Sequence, residues 1–293
     1  MWLEEDAMKV AVTGASGFVG RHVLPALLER GVEIVAVTRD VKRLAGLNES
    51  ICVVEMNIAD SSHDCFDRLG KPDILIHLAW AGLPNYASLH HFETELPLQF
   101  KFLKTMVEAG LPSLFVTGTC FEYGMQSGSL SEDLMTLPAN PYGYAKDALR
   151  QQLEFLRTIK PFDLTWARLF YIYGEGQQRN SLYTQLGDAV SRKEPEFKMS
   201  GGNQVRDYLP VSEAAQLIVA LALKEENDCG TVNICSGKPI IIRKLVEGWL
   251  EQSGWDIKLG LGQFPYPDYE PMAFWGDRRR LDKLLNDLSE SER

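Results

Sequence analysis

Three evenly spaced glycines follow the first apolar segment of the chain. The run Val10–Val12 leads through Thr13 to Gly14, Gly17 and Gly20, which stand at i, i+3 and i+6. The pattern before them is typical of a buried strand, and the pattern after them of an amphipathic helix. At such a junction Gly14 permits a tight turn, Gly17 lets the backbone approach a phosphate, and Gly20 lets the helix pack closely on the strand. Free N–H groups and partial positive charge at the helix start favour an anion there. The segment predicts a dinucleotide-binding turn.

A tyrosine and a lysine four residues apart form the second informative pattern. Tyr142 and Lys146 follow Pro141, so a helix beginning there would place both side chains on one face. A nearby ammonium is expected to lower the pKa of the phenol toward neutrality, which suits proton exchange with a carbonyl or an alcohol. Alone, the pair is typical of an exposed aromatic and cation contact. Together with the glycine turn it favours an active site.

Composition narrows the class of protein. The 293 residues carry a net charge of −10 and are 45% hydrophobic, which allows a large core and argues against general binding to nucleic acid or anionic membranes. No apolar run approaches the roughly 20 residues of a membrane span, and residues 1–9 are acidic, so we expect a cytoplasmic protein. Five cysteines without a Cys-x-x-Cys pair indicate reduced, mostly buried thiols. The adjacent His90 and His91 lack a third ligand at suitable spacing, so we expect no metal site.

Apolar runs alternate with helical stretches, which predicts βαβ units and a Rossmann-type, doubly wound parallel sheet of the α/β class. The expected strands are Lys9–Thr13, Glu33–Thr38, Ile51–Glu55, Ile74–Leu78, Leu114–Thr117, Leu164–Leu169 and Thr231–Ile234. The expected helices are Arg21–Arg30, Phe92–Ala109, Pro141–Thr158, Leu182–Ser191, Val211–Lys224 and Arg243–Ser253. We predict a cofactor-binding part comprising residues 1–174 and about 205–236. Residues 175–204 and 237–293 then form a smaller substrate-binding part.

Five motifs in order resemble the extended short-chain dehydrogenase/reductase superfamily, in its branch of nucleotide-sugar epimerases, dehydratases and ketoreductases. The resemblance covers nearly the whole chain. The motifs are Thr13–Gly20, His77–Ala79, Val116–Gly124, Pro141–Lys146 and Arg206–Val211.

The resemblance implies roles for particular residues. Tyr142 would exchange a proton with the sugar oxygen, Thr119 would hydrogen-bond that oxygen, and Lys146 would lower the tyrosine pKa and bind the nicotinamide ribose. Arg206, with Asn180 as a weaker candidate, would bind the substrate diphosphate. The implied cofactor-binding residues are Gly14, Ser16, Gly17, Phe18, Val19, Gly20, Thr38, Arg39, Asn57, Ile58, Leu78, Ala79, Tyr142 and Lys146. Aromatic residues expected near the cleft are Trp80, Tyr86, Phe121, Tyr171 and Tyr173.

The end of the second expected strand bears on the choice of cofactor. NAD enzymes of this type place an acidic residue there, whereas this chain has Thr38 followed by Arg39. Loss of the carboxylate and gain of a guanidinium favour the 2′-phosphate of NADP(H). Asp40, one position later, keeps NAD(H) open as the alternative.

The residues after Thr119 bear on the reaction. Dehydratases of the family carry an Asp-Glu pair there, but this chain has Cys120 and Phe121, with Glu122 one position further along and expected to point elsewhere. Dehydration is therefore disfavoured, and hydride transfer at a sugar C4 remains. Preference for NADPH favours a reductase acting on the 4-keto group of a nucleotide-diphospho-6-deoxyhexose. The alternative is an NAD-dependent nucleotide-sugar C4 epimerase.

Two further expectations concern function and assembly. A non-enzymatic nucleotide sensor built on this fold would normally have lost the tyrosine or the lysine, and both are present. Relatives often dimerise through the two long helices, so a homodimer is expected. The residues expected on the exposed faces of those helices are Leu96, Phe100, Leu103, Leu149 and Leu153.

Overall fold

Parallel strands flanked by helices dominate the computed structural model, which describes residues 7–46, 49–60 and 62–291. The strands are β1 (Lys9–Thr13), β2 (Glu33–Thr38), β3 (Ile51–Glu55), β4 (Ile74–His77), β5 (Ser113–Thr119), β6 (Gly128–Leu130), β7 (Asp163–Leu169), β8 (Tyr171–Tyr173), β9 (Glu196–Lys198), β10 (Val205–Pro210), β11 (Gly230–Ile234), β12 (Pro239–Ile241), β13 (Lys258–Gly260) and β14 (Phe274–Gly276). The helices are α1 (Gly20–Leu28), α2 (Cys65–Arg68), α3 (Leu96–Ala109), α4 (Pro141–Ile159), α5 (Leu182–Ser191), α6 (Val211–Ala222), α7 (Ile242–Ser253) and α8 (Arg279–Ser291).

Seven parallel strands form the main sheet in the order β3-β2-β1-β4-β5-β7-β11. Strand order reverses between β1 and β4, and such a switch point leaves a crevice at the carboxyl ends of the strands. Val10 lies opposite Ile34 on one side and Ile74 on the other. The predicted Rossmann-type sheet is confirmed, and each of its seven strands lies where the apolar runs predicted, with small differences at the ends.

Both faces of the sheet are covered by helices. Val10 and Val12 point into a core beneath α1 and α6, whereas Ala11 points into a second core beneath α3 and α4. This alternation follows from the period of two in a strand and explains why β1 is apolar throughout. The predicted helix over residues 92–109 is present as one turn of π-helix, His91–Glu95, that continues into α3.

The prediction that Leu103, Leu149 and Leu153 lie on exposed faces of the two long helices is wrong, because these leucines pack onto the sheet. Leu103, Leu149 and Leu153 are fully buried in the second core, and Leu96 and Phe100 pack against it. The large apolar side chains that α4 exposes are a different set. They are Tyr144, Phe155 and Ile159.

A smaller core forms outside the main sheet. Residues of α5, β9 and α7 surround Trp249, which is 3% exposed. These elements fall in the predicted substrate-binding part. The last helix, α8, does not join them: Leu281 is fully buried in the core beneath α6, and Arg280 Nη2 donates to the carbonyl of Cys229 at 2.9 Å. The two-part division of the chain remains a prediction.

The described residues bear on three possible features, namely membrane-spanning helices, metal-binding clusters and disulfides. Across these ranges, no helix is both long and apolar enough for a membrane span, and no group of three His, Cys, Asp or Glu side chains is arranged to hold a metal ion. All five cysteines are free, and only Cys52 is exposed, as predicted.

Candidate active site

A cavity of about 1270 Å³ opens at the carboxyl ends of β1, β2, β4 and β5. This is the crevice that the strand order creates. Every residue predicted to bind a cofactor lines it. These residues are Gly14, Ser16, Gly17, Phe18, Val19, Gly20, Thr38, Arg39, Asn57, Ile58, Leu78, Ala79, Tyr142 and Lys146.

The glycine turn has the geometry of a phosphate cradle. Gly14 adopts φ +69°, and a Cβ there would lie 2.8 Å from the backbone nitrogen of Ala79. A Cβ on Gly20 would lie 2.3 Å from the carbonyl oxygen of Gly14, so α1 can begin this close to the turn only without a side chain. Gly17 donates its N–H to Gly14 at 2.9 Å. A Cβ on Gly17 would have a single close neighbour, that same Gly14 oxygen at 3.0 Å, so its other side is open for an anion. The turn therefore fits a dinucleotide.

The end of β2 forms the far end of the cavity. The hydroxyl groups of Thr38 and Ser16 lie 3.0 Å apart, and Arg43 Nη2 donates to the carbonyl of Ser16 at 3.4 Å. Arg39 also lines this region. The carboxylate of Asp40 accepts the N–H of Lys42 at 3.0 Å and thereby caps a short helical turn. Where a ribose would be held, the structure thus places the guanidinium groups of Arg39 and Arg43. The Asp40 carboxylate there is already hydrogen-bonded to the backbone.

The three predicted catalytic residues come together at the opposite end. Thr119 ends β5, while Tyr142 and Lys146 lie on the first turns of α4, whose start is capped by the Asn140 side chain accepting the N–H of Gly143 at 2.8 Å. Lys146 is 2% exposed and donates to the carbonyl of Thr117 at 2.9 Å. Helix α4 thus places the phenol and the ammonium beside the end of β5, as the i, i+4 spacing predicted.

The charge states of this site differ from the expectation. Burial raises the pKa of the Tyr142 phenol well above its ordinary value, and a hydrogen bond with Thr119 acts in the opposite direction. Burial also lowers the pKa of Lys146 to about 7, against the attraction of Glu122 and Glu95, which raises it. The predicted lowering of the tyrosine pKa is therefore wrong for the protein itself, because desolvation is the largest influence on both groups.

Glu122 points away from the cavity, as predicted from its position. Its carboxylate is fully buried, accepts the N–H of Thr119 at 2.8 Å, and pairs with Arg168 Nε at 2.7 Å. The Thr119 hydroxyl in turn accepts the N–H of Phe121 at 3.3 Å. Glu122 therefore fixes the turn that carries Thr119, and its position is unsuited to protonating a substrate in the cavity.

Aromatic rings line the substrate end of the cavity. The ring of Phe121 lies 4.7 Å from that of Tyr86 and 6.4 Å from those of Tyr171 and Tyr269. Four of the five predicted aromatics line the cavity. The fifth, Tyr173, packs instead on Trp249 in the smaller core, with 4.9 Å between ring centroids.

The two predicted diphosphate-binding residues lie apart. Asn180 lines the main cavity, whereas Arg206 lines an adjoining cavity of about 200 Å³. The Arg206 side chain is 2% exposed, and its Nη2 lies 2.8 Å from Glu270 Oε1. Its Nη1 donates to the carbonyl of Met272 at 3.1 Å. Because Glu270 lines both cavities, the Arg206 guanidinium stands one side chain away from the main one.

Sequence reasoning missed several residues around the lysine. Trp80 lies near the cleft, as expected. Its ring also lies 4.0 Å from Lys146 Nζ, and nothing in the sequence indicated this contact. Glu95 and Gln99 also line the cavity, and His91 packs against Tyr142. In the sequence, the pair His90 and His91 suggested only metal ligands and did not indicate that His91 contacts Tyr142.

Comparison with known proteins identifies the family of the chain. The model of the NAD-dependent epimerase/dehydratase family matches residues 10–235. The chain is 29% identical over 274 residues to a dTDP-6-deoxy-L-talose 4-dehydrogenase (NAD(+)) of Aggregatibacter actinomycetemcomitans, covering 92% of this chain and 99% of that protein. It is also 29% identical over 238 residues to a GDP-6-deoxy-D-talose 4-dehydrogenase of the same organism, covering 78% and 75% of the two chains.

Similarity extends to three dimensions. The solved structure of MoeE5 in complex with UDP-glucuronic acid and NAD superposes with a TM-score of 0.79 at 25% identity, covering 95% of this chain and 92% of that one. The motif resemblance seen in the sequence is thereby confirmed. The chain belongs to the NAD-dependent epimerase/dehydratase family, within the extended short-chain dehydrogenase/reductases, and is an NAD(P)-dependent enzyme of that family.

Proposed function

We propose that the protein reduces the 4-keto group of a nucleotide-diphospho-6-deoxyhexose at the expense of NADPH. The observation that carries this proposal is a complete Thr119, Tyr142 and Lys146 set beside Cys120 and Phe121, which provide no acid pair for dehydration. The relative named as a 4-dehydrogenase of a 6-deoxy sugar supports it, because oxidation of a C4 hydroxyl is the reverse of this reduction.

The raised pKa of Tyr142 favours the reductive direction. A buried phenol that holds its proton is suited to act as a general acid, which reduction of a ketone requires. A bound nicotinamide supplies the hydride to C4. As C4 gains it, the Tyr142 hydroxyl gives its proton to the former keto oxygen, and the Thr119 hydroxyl hydrogen-bonds the same oxygen. Lys146, anchored on Thr117, stabilises the resulting phenolate.

The aromatic rings at the substrate end support a 6-deoxy sugar. Phe121, Tyr86 and Tyr269 present ring faces and edges against which an apolar C6 methyl group would pack. Glu270 at this end is paired with Arg206, so it offers no free cation or anion to a charged C6 group. The nucleotide-diphospho part would extend toward Asn180 and Arg206.

The end of β2 supports NADPH. Arg39 and Arg43 provide cations for a 2′-phosphate, while the Asp40 carboxylate is held by the backbone of Lys42. The relative named for NAD(+) is the reason to measure both cofactors.

The test is the oxidation of NADPH and of NADH, followed by absorbance, with a panel of nucleotide-linked 4-keto-6-deoxyhexoses. We expect stoichiometric loss of NADPH and a 10²-fold or greater fall in kcat for Tyr142→Phe, as is typical of a lost general acid. Arg39→Ala should raise KM for NADPH and leave that for NADH nearly unchanged. Interconversion of C4 epimers with no net oxidation would refute the reductase and favour the C4 epimerase. Binding of NADPH without turnover of any sugar would favour a sensor.

We also propose that the protein is a homodimer that uses the outward face of α4. Tyr144, Phe155 and Ile159 are 55%, 69% and 83% exposed, and they stand at positions that share one side of the helix. Exposed apolar side chains grouped in this way are typical of association surfaces.

A further inference from the structure

The indole ring of Trp80 lies directly against the buried lysine. Its centroid is 4.0 Å from Lys146 Nζ and 6.0 Å from the ring centroid of Tyr142. Trp80 comes three residues after β4, and the lysine comes from α4, so the contact joins two elements across the cavity. A cation at this distance from a tryptophan face is attracted by the ring quadrupole.

His91 fixes the indole in that position. The Trp80 indole nitrogen lies 3.1 Å from His91 Nδ1, and His91 Nε2 lies 2.8 Å from the carbonyl oxygen of Asn85. An indole N–H can only donate, so Nδ1 must accept, and the proton on Nε2 then goes to the carbonyl. Both nitrogens are satisfied only in this neutral tautomer. His91 is fully buried, so its ring has no alternative partner in solvent.

The lysine needs such support because its surroundings oppose its charge. Burial lowers the pKa of Lys146 to about 7, so near neutral pH a small change in its environment alters its charge state. The groups that interact with it are the Thr117 carbonyl at 2.9 Å, the Glu122 and Glu95 carboxylates, which raise its pKa, and the neutral rings of His77 and His91. The ring face of Trp80 is a further favourable contact.

We propose that Trp80, held in place by His91, is a positioning residue that keeps the Lys146 side chain charged and aligned beside Tyr142. The inference rests on the proposed oxidoreductase function. It adds two residues that touch neither reacting atom and act through the lysine. The proposal fixes the direction of each effect. Removing the ring face of Trp80 disfavours the charged form of Lys146, and removing His91 releases the indole from its position against the lysine.

The first test compares Trp80→Phe with Trp80→Leu. Both residues are apolar and smaller than tryptophan, but only phenylalanine keeps a ring face, so their difference isolates the interaction with the cation. With Lys146 required in its charged form, activity falls as pH rises through the lysine pKa. We expect the alkaline midpoint of kcat to lie lower in the leucine variant than in the phenylalanine variant by about half a pH unit or more. Trp255→Phe, in the smaller core, is the matched control and should leave the midpoint unchanged.

The second test uses protein without cofactor or substrate and does not depend on turnover. In ¹H–¹⁵N spectra, the Trp80 indole signal, identified by its loss in Trp80→Phe, should titrate near pH 7 in wild type and not in Lys146→Met. It should also move in acid as His91 becomes protonated, and this movement should be absent in His91→Gln. Burial lowers the His91 pKa, with His90 and Lys146 acting in the same direction and Glu95 and the Asn85 carbonyl in the opposite one. The control for the histidine change is His63→Gln, at an exposed position.

The outcomes separate the two proposals. Equal alkaline midpoints for the phenylalanine and leucine variants, or an indole signal that ignores Lys146, would overturn the role of Trp80. A wild-type protein that turns over no keto-sugar would overturn the proposed function, while the titrations of the indole signal would still decide whether Trp80 and His91 support the lysine.

Discussion

Gly20→Ala is a substitution whose outcome the structure determines sharply. The added Cβ would stand 2.3 Å from the oxygen of Gly14, 2.6 Å from that of Ala15 and 2.7 Å from the Ala15 Cα. Side chains essentially never come within 3.0 Å of such atoms, so the helix start must retreat by about 0.7 Å. All three neighbours are backbone atoms and cannot rotate away. Overpacking of this kind costs about 1–3 kcal/mol, and we expect the upper end here.

Two matched glycines make the test specific. Gly17→Ala meets one backbone oxygen at 3.0 Å and faces the cavity, so it should weaken dinucleotide binding with little loss of stability. Gly248→Ala lies in α7 with nothing near its Cβ and should stabilise the protein by about 0.4–1 kcal/mol. Urea unfolding gives the stabilities, and quenching of tryptophan fluorescence by NADPH gives the affinities. A Gly20→Ala protein as stable as wild type would refute the packing argument.

Three other predictions concern stability and assembly. Burial lowers the pKa of His77 to about 3, while an exposed histidine titrates near 6.5, so the unfolding free energy should fall by about 1.4 kcal/mol per unit as pH drops below 6.5, and His77→Gln should lose this part of the slope in urea titrations. Glu122→Gln leaves Arg168 buried without its counter-ion and should cost about 3–5 kcal/mol, whereas a cost below 1 kcal/mol in urea unfolding would show that the pair contributes little. Phe155→Glu should convert a dimer to monomers in sedimentation velocity, and an unchanged mass would place the interface elsewhere.

The main sheet and the cofactor end of the cavity could be predicted because their information is local. The glycine spacing between β1 and α1 and the i, i+4 pair on α4 each describe geometry within a few residues. The strands are buried on both faces, so they are apolar without interruption and easy to recognise.

Charge states and packing directions could not be predicted in the same way. The pKa of Tyr142 depends on how deeply the fold buries it. The burial of Leu149 and Leu153 depends on which side of α4 meets the sheet. The pairing of Arg206 with Glu270 joins a residue of β10 to a residue 64 positions later, in the loop before β14. Trp80 and His91 meet through loop geometry that their separation in sequence does not fix.

The return of α8 to the main sheet has a consequence for the order of events during synthesis. Strand β11 and helix α6 emerge from the ribosome well before Leu281, which completes their core, and Arg280 and Arg278 bond the carbonyls of Cys229 and Cys235 at the ends of that strand. Domains generally begin to fold from the N-terminus as the chain lengthens. Here the β11 edge of the main sheet is covered by α8, which is synthesised after every strand of that sheet. A ribosome-bound chain that stops before residue 279 should therefore keep an apolar surface on α6 exposed, and chaperones that recognise such surfaces should hold it until α8 is released.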